Sequence, residues 1–333
     1  MNGQNEPLVS IVTPFYNTDE YIAECIESVQ AQTYRNWEYI LLNNCSTDES
    51  AEIARRYAER DQRIRLIHND VFLTQVQNYN HALRKISQES RYCKIVQADD
   101  WIFPECLSKM VSVAEANPSV GIVGSYRLYG RDVGNVGIPY TNKVVGGREV
   151  CRMQLIDGYY FFGSPTSILL RSEIIRSQDP FYDETVWFED AISCFKILQT
   201  WDFGFVHQIT SFERVDNESI SSEVRNFDRG WLLARLIIFM ECGKLFLDLE
   251  EYERIFNTIK NNYFSFLSKN VFRRRGKDFF EYHKKGLATV GYELSYNRLS
   301  KHIILEVIDL CFNLKDTAEI ILKKLKSWVG GRQ

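Results

Sequence analysis

In the stretch IVQADDWIFPE, residues 95–105, an apolar run ends in two adjacent carboxylates, Asp99 and Asp100. Side by side they repel each other and resist loss of water, so a fold keeps such a pair where solvent, a helix terminus or a cation compensates it. A second acidic pair, Glu189 and Asp190 in WFEDAISCF, stands just before apolar residues at helical spacing. A carboxylate there can cap the helix at the positive end of its dipole. Partial burial beside Trp187 and Phe188 would also keep its pKa from falling, which suits a proton acceptor.

The elements that must position these pairs alternate from Leu8 to about residue 125. LVSIVTP reads as a strand, DEYIAECIESVQAQ sets Tyr21, Ile22, Cys25, Ile26 and Val29 on one helical face, and WEYILLN is the next strand. In STDES, Ser46 followed by Glu49 has capping-box spacing ahead of AEIARRYAE. IRLIHN, a helix from about Thr74 to Ser87, CKIVQA, a helix opening at Pro104, and VGIVGS continue the pattern. The fold class this predicts is α/β, a mostly parallel sheet flanked by helices. Ligands of such sheets sit beyond the C-terminal ends of the strands. The loops TPFYN, NNCSTD and QADDW would therefore meet at one crevice.

The chain has 333 residues, 45% of them hydrophobic and 25% charged, with a net charge of −4. That is enough to bury a large core, and it supplies no overall basic field, so nucleic acid is not an expected partner. The eight cysteines form no CxxC pair and the five histidines no ligand spacing, as for reduced core thiols in a cytoplasmic protein. MNGQNEPLVS shows no export signal, and WLLARLIIFM at 231–240 contains Arg235 and falls short of the roughly 20 residues that span a bilayer.

Beyond about residue 125 the pattern loosens into YGRDVGNVGIPYTNKVVGG, a loop-rich stretch of the kind that forms lids or acceptor walls. Strand-like PTSILL and FGFVHQI follow. From Phe227 onward helical periodicity dominates, which sets expected domains at 1–226 and 227–333. In EIILKKLKSWV, Ile320, Ile321, Leu325, Trp328 and Val329 oppose Lys323, Lys324 and Lys326. The C-terminal helices are thus expected either at an anionic membrane surface, peripheral to the inner face of the cell membrane, or packed on the catalytic domain or a second copy of the chain.

VSIVTPFYNTDEYIAECIESVQAQTYRNWEYILLNNCSTDES, NHAL, QADDW, GSPTSILLRSE, FEDA and FERVDNESISS, in that order over about residues 7–225, resemble the family-2 inverting glycosyltransferases of bacterial surface-polysaccharide type. Their nucleotide-sugar fold is called GT-A. The resemblance implies transfer of a sugar from a nucleotide-diphosphate donor, a UDP-sugar first, to a hydroxyl of a saccharide or lipid-linked saccharide acceptor. It implies that Asp99 and Asp100 end a DxD-type motif that holds Mn²⁺ or Mg²⁺ against the diphosphate, with Asp100 the direct ligand and Asp99 nearer the ribose or sugar. The chemistry gives an independent reason, since a cation on one or two carboxylates neutralises the charge that develops on a leaving diphosphate.

The same resemblance places Asp190, with Glu189 beside it, at the catalytic base. It implies nucleotide contacts from Pro14, Tyr16, Asn17, Asn44, Ser46, Asn80 and Gln97, and a donor or acceptor wall of Trp101, Gly163, Ser164, Thr166 and Arg214, the last reaching toward the diphosphate. Asn43 and Asn44 stand where the family more often has two aspartates, and Gln97 where it often has one. The amide of Asn44 can still pair with a uracil edge, without the charge-assisted bond. These departures motivate a rival reading, a catalytically degenerate donor-binding or scaffold protein, against which Asp99, Asp100 and Asp190 together argue. A nucleotidyltransferase is the rival enzyme, disfavoured because no Gly-rich, Lys/Arg-bearing loop follows the first strand.

Overall fold

A computed structural model describes residues 6–215, 227–228 and 231–312. The alternation is present as β1 (Val9–Phe15), α1 (Ile22–Gln30), β2 (Trp37–Asn43), α2 (Ser50–Arg60), β3 (Ile64–His68), α3 (Gln75–Leu83) and β4 (Tyr92–Ile95). Then come β5 (Trp101–Ile102), α4 (Cys106–Ala116), β6 (Val120–Tyr129), β7 (Asp132–Gly134), β8 (Val144–Val145), α5 (Gly147–Asp157), a 3₁₀ turn at Pro165–Ser167, β9 (Ile168–Arg171), α6 (Ser172–Arg176), α7 (Glu189–Ile197) and β10 (Asp202–Glu213). On α1, Ile22, Cys25, Ile26 and Val29 are fully buried against the sheet, because their spacing returns to one face every turn.

One mixed sheet runs in the order β3-β2-β1-β4-β9-β6-β10-β5. The neighbours β1, β2, β3 and β4 are parallel, as is the pair β6 and β10, whereas β9 runs antiparallel to both β4 and β6. PTSILL gave no warning of that direction, because a short, wholly buried apolar run looks the same read either way. The parallel set does what the site requires. Phe15 lies beside Asn43 and Val12 beside Ile95, so the loops after β1, β2 and β4 leave the same edge.

The expected cap of α2 is elsewhere. The helix starts at Ser50, Glu49 makes no side-chain cap bond, and Asp48 Oδ1 accepts from Ser50 N at 3.0 Å. The Ser46 hydroxyl instead accepts from Asn17 N at 3.1 Å, a bond to another loop. A complete capping box occurs on α3, where Thr74 Oγ1 accepts from Gln77 N and Gln77 Oε1 accepts from Thr74 N.

The chain forms two compact units, Met1–Glu223 with Glu241–Asp248, and Val224–Met240 with Leu249–Gln333. The later helices are α8 (Leu232–Phe246), α9 (Leu249–Phe272), α10 (Lys277–Thr289) and α11 (Tyr296–Phe312). None of the described helices is long and apolar enough to cross a membrane. EIILKKLKSWV, and FERVDNESISS beyond Val215, lie outside the described residues.

Within the second unit, Asp228 is fully buried and accepts from Leu233 N and Ala234 N at the start of α8. His283, also fully buried, bonds through Nε2 to the Phe227 carbonyl at 3.0 Å and through Nδ1 to the Tyr263 hydroxyl at 3.0 Å. A carbonyl only accepts, so Nε2 carries the proton and Nδ1 accepts from Tyr263. Burial holds this neutral imidazole down to about pKa 4. The unfolded chain binds a proton near pH 6.5 and the folded one only near 4, so the contribution of His283 is intact above 6.5 and declines as pH falls between these values, by about 3 kcal/mol at most. Urea unfolding of the native protein and His283→Gln across that window should show the native loss and a flatter variant. The difference between the curves carries the result, because Glu189 titrates nearby with the opposite sign. Parallel curves would refute it.

Candidate functional site

Loops after β1 and β2 are tied to each other by Asn17, whose N–H donates to Ser46 Oγ and whose Oδ1 accepts from Thr47 N at 2.9 Å. Asn17 has φ 49°, a left-handed turn that asparagine tolerates better than most residues. Beside it Tyr16 is 43% exposed, its ring edge-on to the exposed Phe72 at 4.9 Å. Tyr16, Asn17 and Ser46 therefore share one accessible rim, while Pro14 lies within the buried β1.

Two expected nucleotide contacts are scaffold instead. Asn44 is buried, its Oδ1 accepting from Asn69 Nδ2 and Leu73 N and its Nδ2 donating to the Leu73 carbonyl, each at 2.9 Å. Both carbonyl lone pairs are taken, so Asn44 fixes the loop before α3 rather than meeting a base. Asn80 is 1% exposed and holds Tyr182 through both its N–H and its carbonyl, at 2.8 and 2.9 Å, with a further bond to Glu184. It secures the segment leading to α7.

At the acidic turn, Asp100 is buried, its Oδ2 accepting from Thr166 Oγ1 at 2.6 Å and its Oδ1 from Arg214 N at 3.1 Å. Thr166 in turn accepts from Gln97 N at 3.0 Å. The Arg214 guanidinium donates to the Asp99 carbonyl, pairs with Glu24 at 2.7 Å and lies over the rings of Tyr21 and Trp101. Trp101 is stacked on Phe212 at 3.8 Å. Thr166 and Arg214 are thus supports of the turn rather than an open wall. Of the two aspartates, Asp100 has both oxygens engaged within the protein, and the partly exposed Asp99 is the more accessible carboxylate.

Burial, then Glu213 and Asp99, pushes Asp100 well above the usual carboxylate range. The fold leaves this turn short of positive charge, which a divalent cation would supply. Among the described residues no group of three or more His, Cys, Asp or Glu side chains could hold a metal. One or two carboxylates completed by phosphate and water oxygens is the donor set that Mg²⁺ and Mn²⁺ accept, so the residues fit such an ion.

Two residues that the motifs did not mark complete the support. Glu213, at the end of β10 and 4% exposed, pairs with Arg127 and accepts from Ser167 Oγ at 2.6 Å and Ser164 N at 3.3 Å. Lys94 is fully buried in β4 and donates to the carbonyls of Thr166 at 2.5 Å and Ile168 at 3.1 Å, with burial lowering its pKa. A lysine inside the apolar run CKIV was a signal: a charge there must have a buried task.

Phe188, the residue before the second acidic pair, has φ 64°. A bulky residue stays in that conformation only where its surroundings enforce it, and here it directs the chain into α7. Asp190 Oδ1 accepts from Ala191 N at 2.7 Å. Burial pushes Asp190 up, and burial followed by Asp190 pushes Glu189 up to about 8. Glu213 acts electrostatically on both Asp100 and Asp190, and Asp99, Asp100 and Asp190 all raise the Tyr79 hydroxyl, so the two acidic pairs belong to one site. It can hold a cation with its anionic ligand and can accept a proton.

The family model for Glycosyl transferase family 2 matches residues 10–177. The chain is 28% identical over 176 residues to glycosyltransferase GlyG of Streptococcus pneumoniae, a match covering 51% of this chain and 57% of GlyG. Its fold is similar to that of S. aureus TarS residues 1–349 in complex with UDP-GlcNAc, at TM-score 0.60 and 18% identity, covering 84% of this chain and 79% of that one. It is also similar to the mannosyltransferase PcManGT of Pyrobaculum calidifontis in complex with GDP-Man and Mn²⁺, at TM-score 0.52 and 13% identity, covering 91% and 88%.

Proposed function

Because the chain belongs to glycosyl transferase family 2, we propose that it transfers one sugar, with inversion at the anomeric carbon, from a nucleotide-diphosphate donor to a hydroxyl of a saccharide or lipid-linked saccharide acceptor. The observation that carries this reading is the shared electrostatic neighbourhood of the acidic turn and Asp190. Inversion needs a group to take the acceptor's proton on one face while the nucleotide departs from the other. Asp190 is that base: burial raises its pKa, which makes it a better proton acceptor than a solvated aspartate. Glu189, protonated up to about pH 8, adds no second charge beside it near neutrality.

Asp99 is the residue that would hold Mn²⁺ or Mg²⁺, with Asp100 and Arg214 fixing the turn. When bound, the ion offsets the negative charge of the leaving diphosphate. Tyr16 offers its exposed ring to the base, and Asn17 and Ser46 line the same rim. Since Asn44 is committed to the loop before α3, choice of base falls to this rim rather than to an amide edge, and UDP remains the first candidate.

The engagement of Asn44 also favours a second reading, a degenerate donor-binding protein. Release of free sugar from UDP-sugars in the presence of Mn²⁺, with calorimetric titration of UDP and GDP, separates the two. Slow hydrolysis of one donor that stops on chelation supports the enzyme. Tight UDP binding without any turnover of sugar nucleotides supports the degenerate protein.

A further inference from the structure

The segment 158–163, between α5 and the 3₁₀ turn, carries four aromatic residues in a row, and they divide into two kinds. Phe161 and Phe162 are buried, at 0% and 1% exposure, while Tyr159 and Tyr160 keep 43% and 40% of their surfaces in the open. Each exposed ring is backed by a buried one: Tyr159 stacks on Phe161 at 5.4 Å and 23°, and Tyr160 stands edge-on to Phe162 at 6.2 Å. Such backing restrains the rings, so two flat apolar faces are presented with little rotamer freedom left to lose.

Tyr160 is fastened to the site already described. Its hydroxyl donates to the Gly163 carbonyl at 2.9 Å, the next residue's N–H donates to Glu213, and Ser167 Oγ donates to the same carboxylate. Gly163 has φ 66°, and a Cβ there would lie 2.5 Å from Ser167 Oγ, so this close turn requires glycine. Although the ring is half-open, its hydroxyl lies deep enough that burial, and then Asp190, raise its pKa well above the tyrosine range. Ser164 Oγ, next to the carbonyl that Tyr160 holds, has no hydrogen-bond partner among the described residues. A buried hydroxyl left so marks a place that a ligand's polar edge can complete.

We propose that Tyr159 and Tyr160 form a shelf on which the apolar C–H face of one pyranose ring of a saccharide acceptor stacks, holding its hydroxyl edge toward Asp190. The proposal rests on the glycosyl-transfer reading and names the acceptor side of that site. A pyranose fits both features at once: one flat C–H face for the rings, and hydroxyls for the polar groups beside them. An alkyl chain would bury the rings but leave the carboxylates and the Ser164 hydroxyl unanswered. The loop before Tyr140 borders the shelf, for a Cβ at Gly137 would lie 2.8 Å from Tyr159 and 3.0 Å from Phe161.

Methyl glycosides of glucose, galactose and N-acetylglucosamine serve as probes on the full chain, read by saturation-transfer NMR, while UDP with Mn²⁺ is titrated separately by calorimetry. In the native protein the ring C–H protons of at least one glycoside should receive saturation, and its affinity should fall about ten-fold in Tyr159→Leu and in Tyr160→Leu. Tyr160→Phe, which keeps the face, should bind within about two-fold of native, and UDP affinity should be alike in all four proteins. Native protein that binds UDP but none of the glycosides would overturn the shelf, as would leucine variants that bind them as well as native. Saturation of phosphatidylglycerol acyl chains in vesicles, lost in the leucine variants, would overturn it in favour of a lipid contact. Glycoside binding without any UDP binding would leave the shelf standing and remove the donor reading.

Discussion

In Asp190→Asn, sugar transfer falls by roughly 10²-fold or more while donor affinity stays within a few-fold of native. The amide keeps the shape and can still accept from Ala191 N, so the start of α7 is preserved. It cannot take a proton. The pH dependence provides a second check. Because burial raises the folded pKa of Asp190, the native rate should fall as pH drops through a value above the ordinary 3.8, and that limb should vanish from the residual rate of the variant. Glu189 titrates with Asp190 as a pair, so the limb belongs to both. Near-normal turnover in Asp190→Asn would remove the assignment.

Asp99→Asn is expected to weaken Mn²⁺-dependent UDP binding by about 10²-fold, whereas Asp100→Asn costs several-fold at most. The difference follows from what each carboxylate already does. Asp100 receives the Thr166 hydroxyl and the Arg214 N–H, and an asparagine can serve both, its carbonyl taking the N–H and its amide donating to a rotated hydroxyl. Asp99 is partly exposed where Asp100 is buried, so under the proposed function removing its charge would remove the more accessible ligand for the ion. Calorimetry of UDP with Mn²⁺, repeated in excess chelator, measures both. A larger loss in Asp100→Asn would return the direct-ligand role to Asp100.

The parts of this site that were readable in the sequence are those with a local signature. Apolar runs at strand length fixed β1 to β4, and once those are parallel the loops after them must share an edge, so the neighbourhood of Tyr16, Ser46 and Asp99 followed from pattern alone. What could not be read depends on partners far away in the chain. Ser46-x-x-Glu49 and Thr74-x-x-Gln77 have the same spacing, and only the second is a cap, because the Ser46 hydroxyl is claimed by Asn17 in another loop. Asn44 looked like a base-reading residue until Asn69 and Leu73 were seen to occupy its carbonyl. Glu213 is a single acid in a strand with no spacing to mark it, and its role lies in Arg127, Ser164 and Ser167. The unequal exposure of Asp99 and Asp100 has the same origin, since two identical neighbours differ only by which one the fold turns inward.

The hydrogen bond between Arg214 N and Asp100 joins residues 114 positions apart. On a ribosome adding about 5–20 residues each second, the acidic turn therefore waits roughly 6–20 s before its last support leaves the exit tunnel. During that interval β6 also lacks β10, the strand that closes one of its sides, so an open, largely apolar strand edge is exposed next to two uncompensated carboxylates. Nascent chains thus expose an open strand edge after β6 has emerged and before β10 has, and the acidic turn cannot be completed until Arg214 has been made.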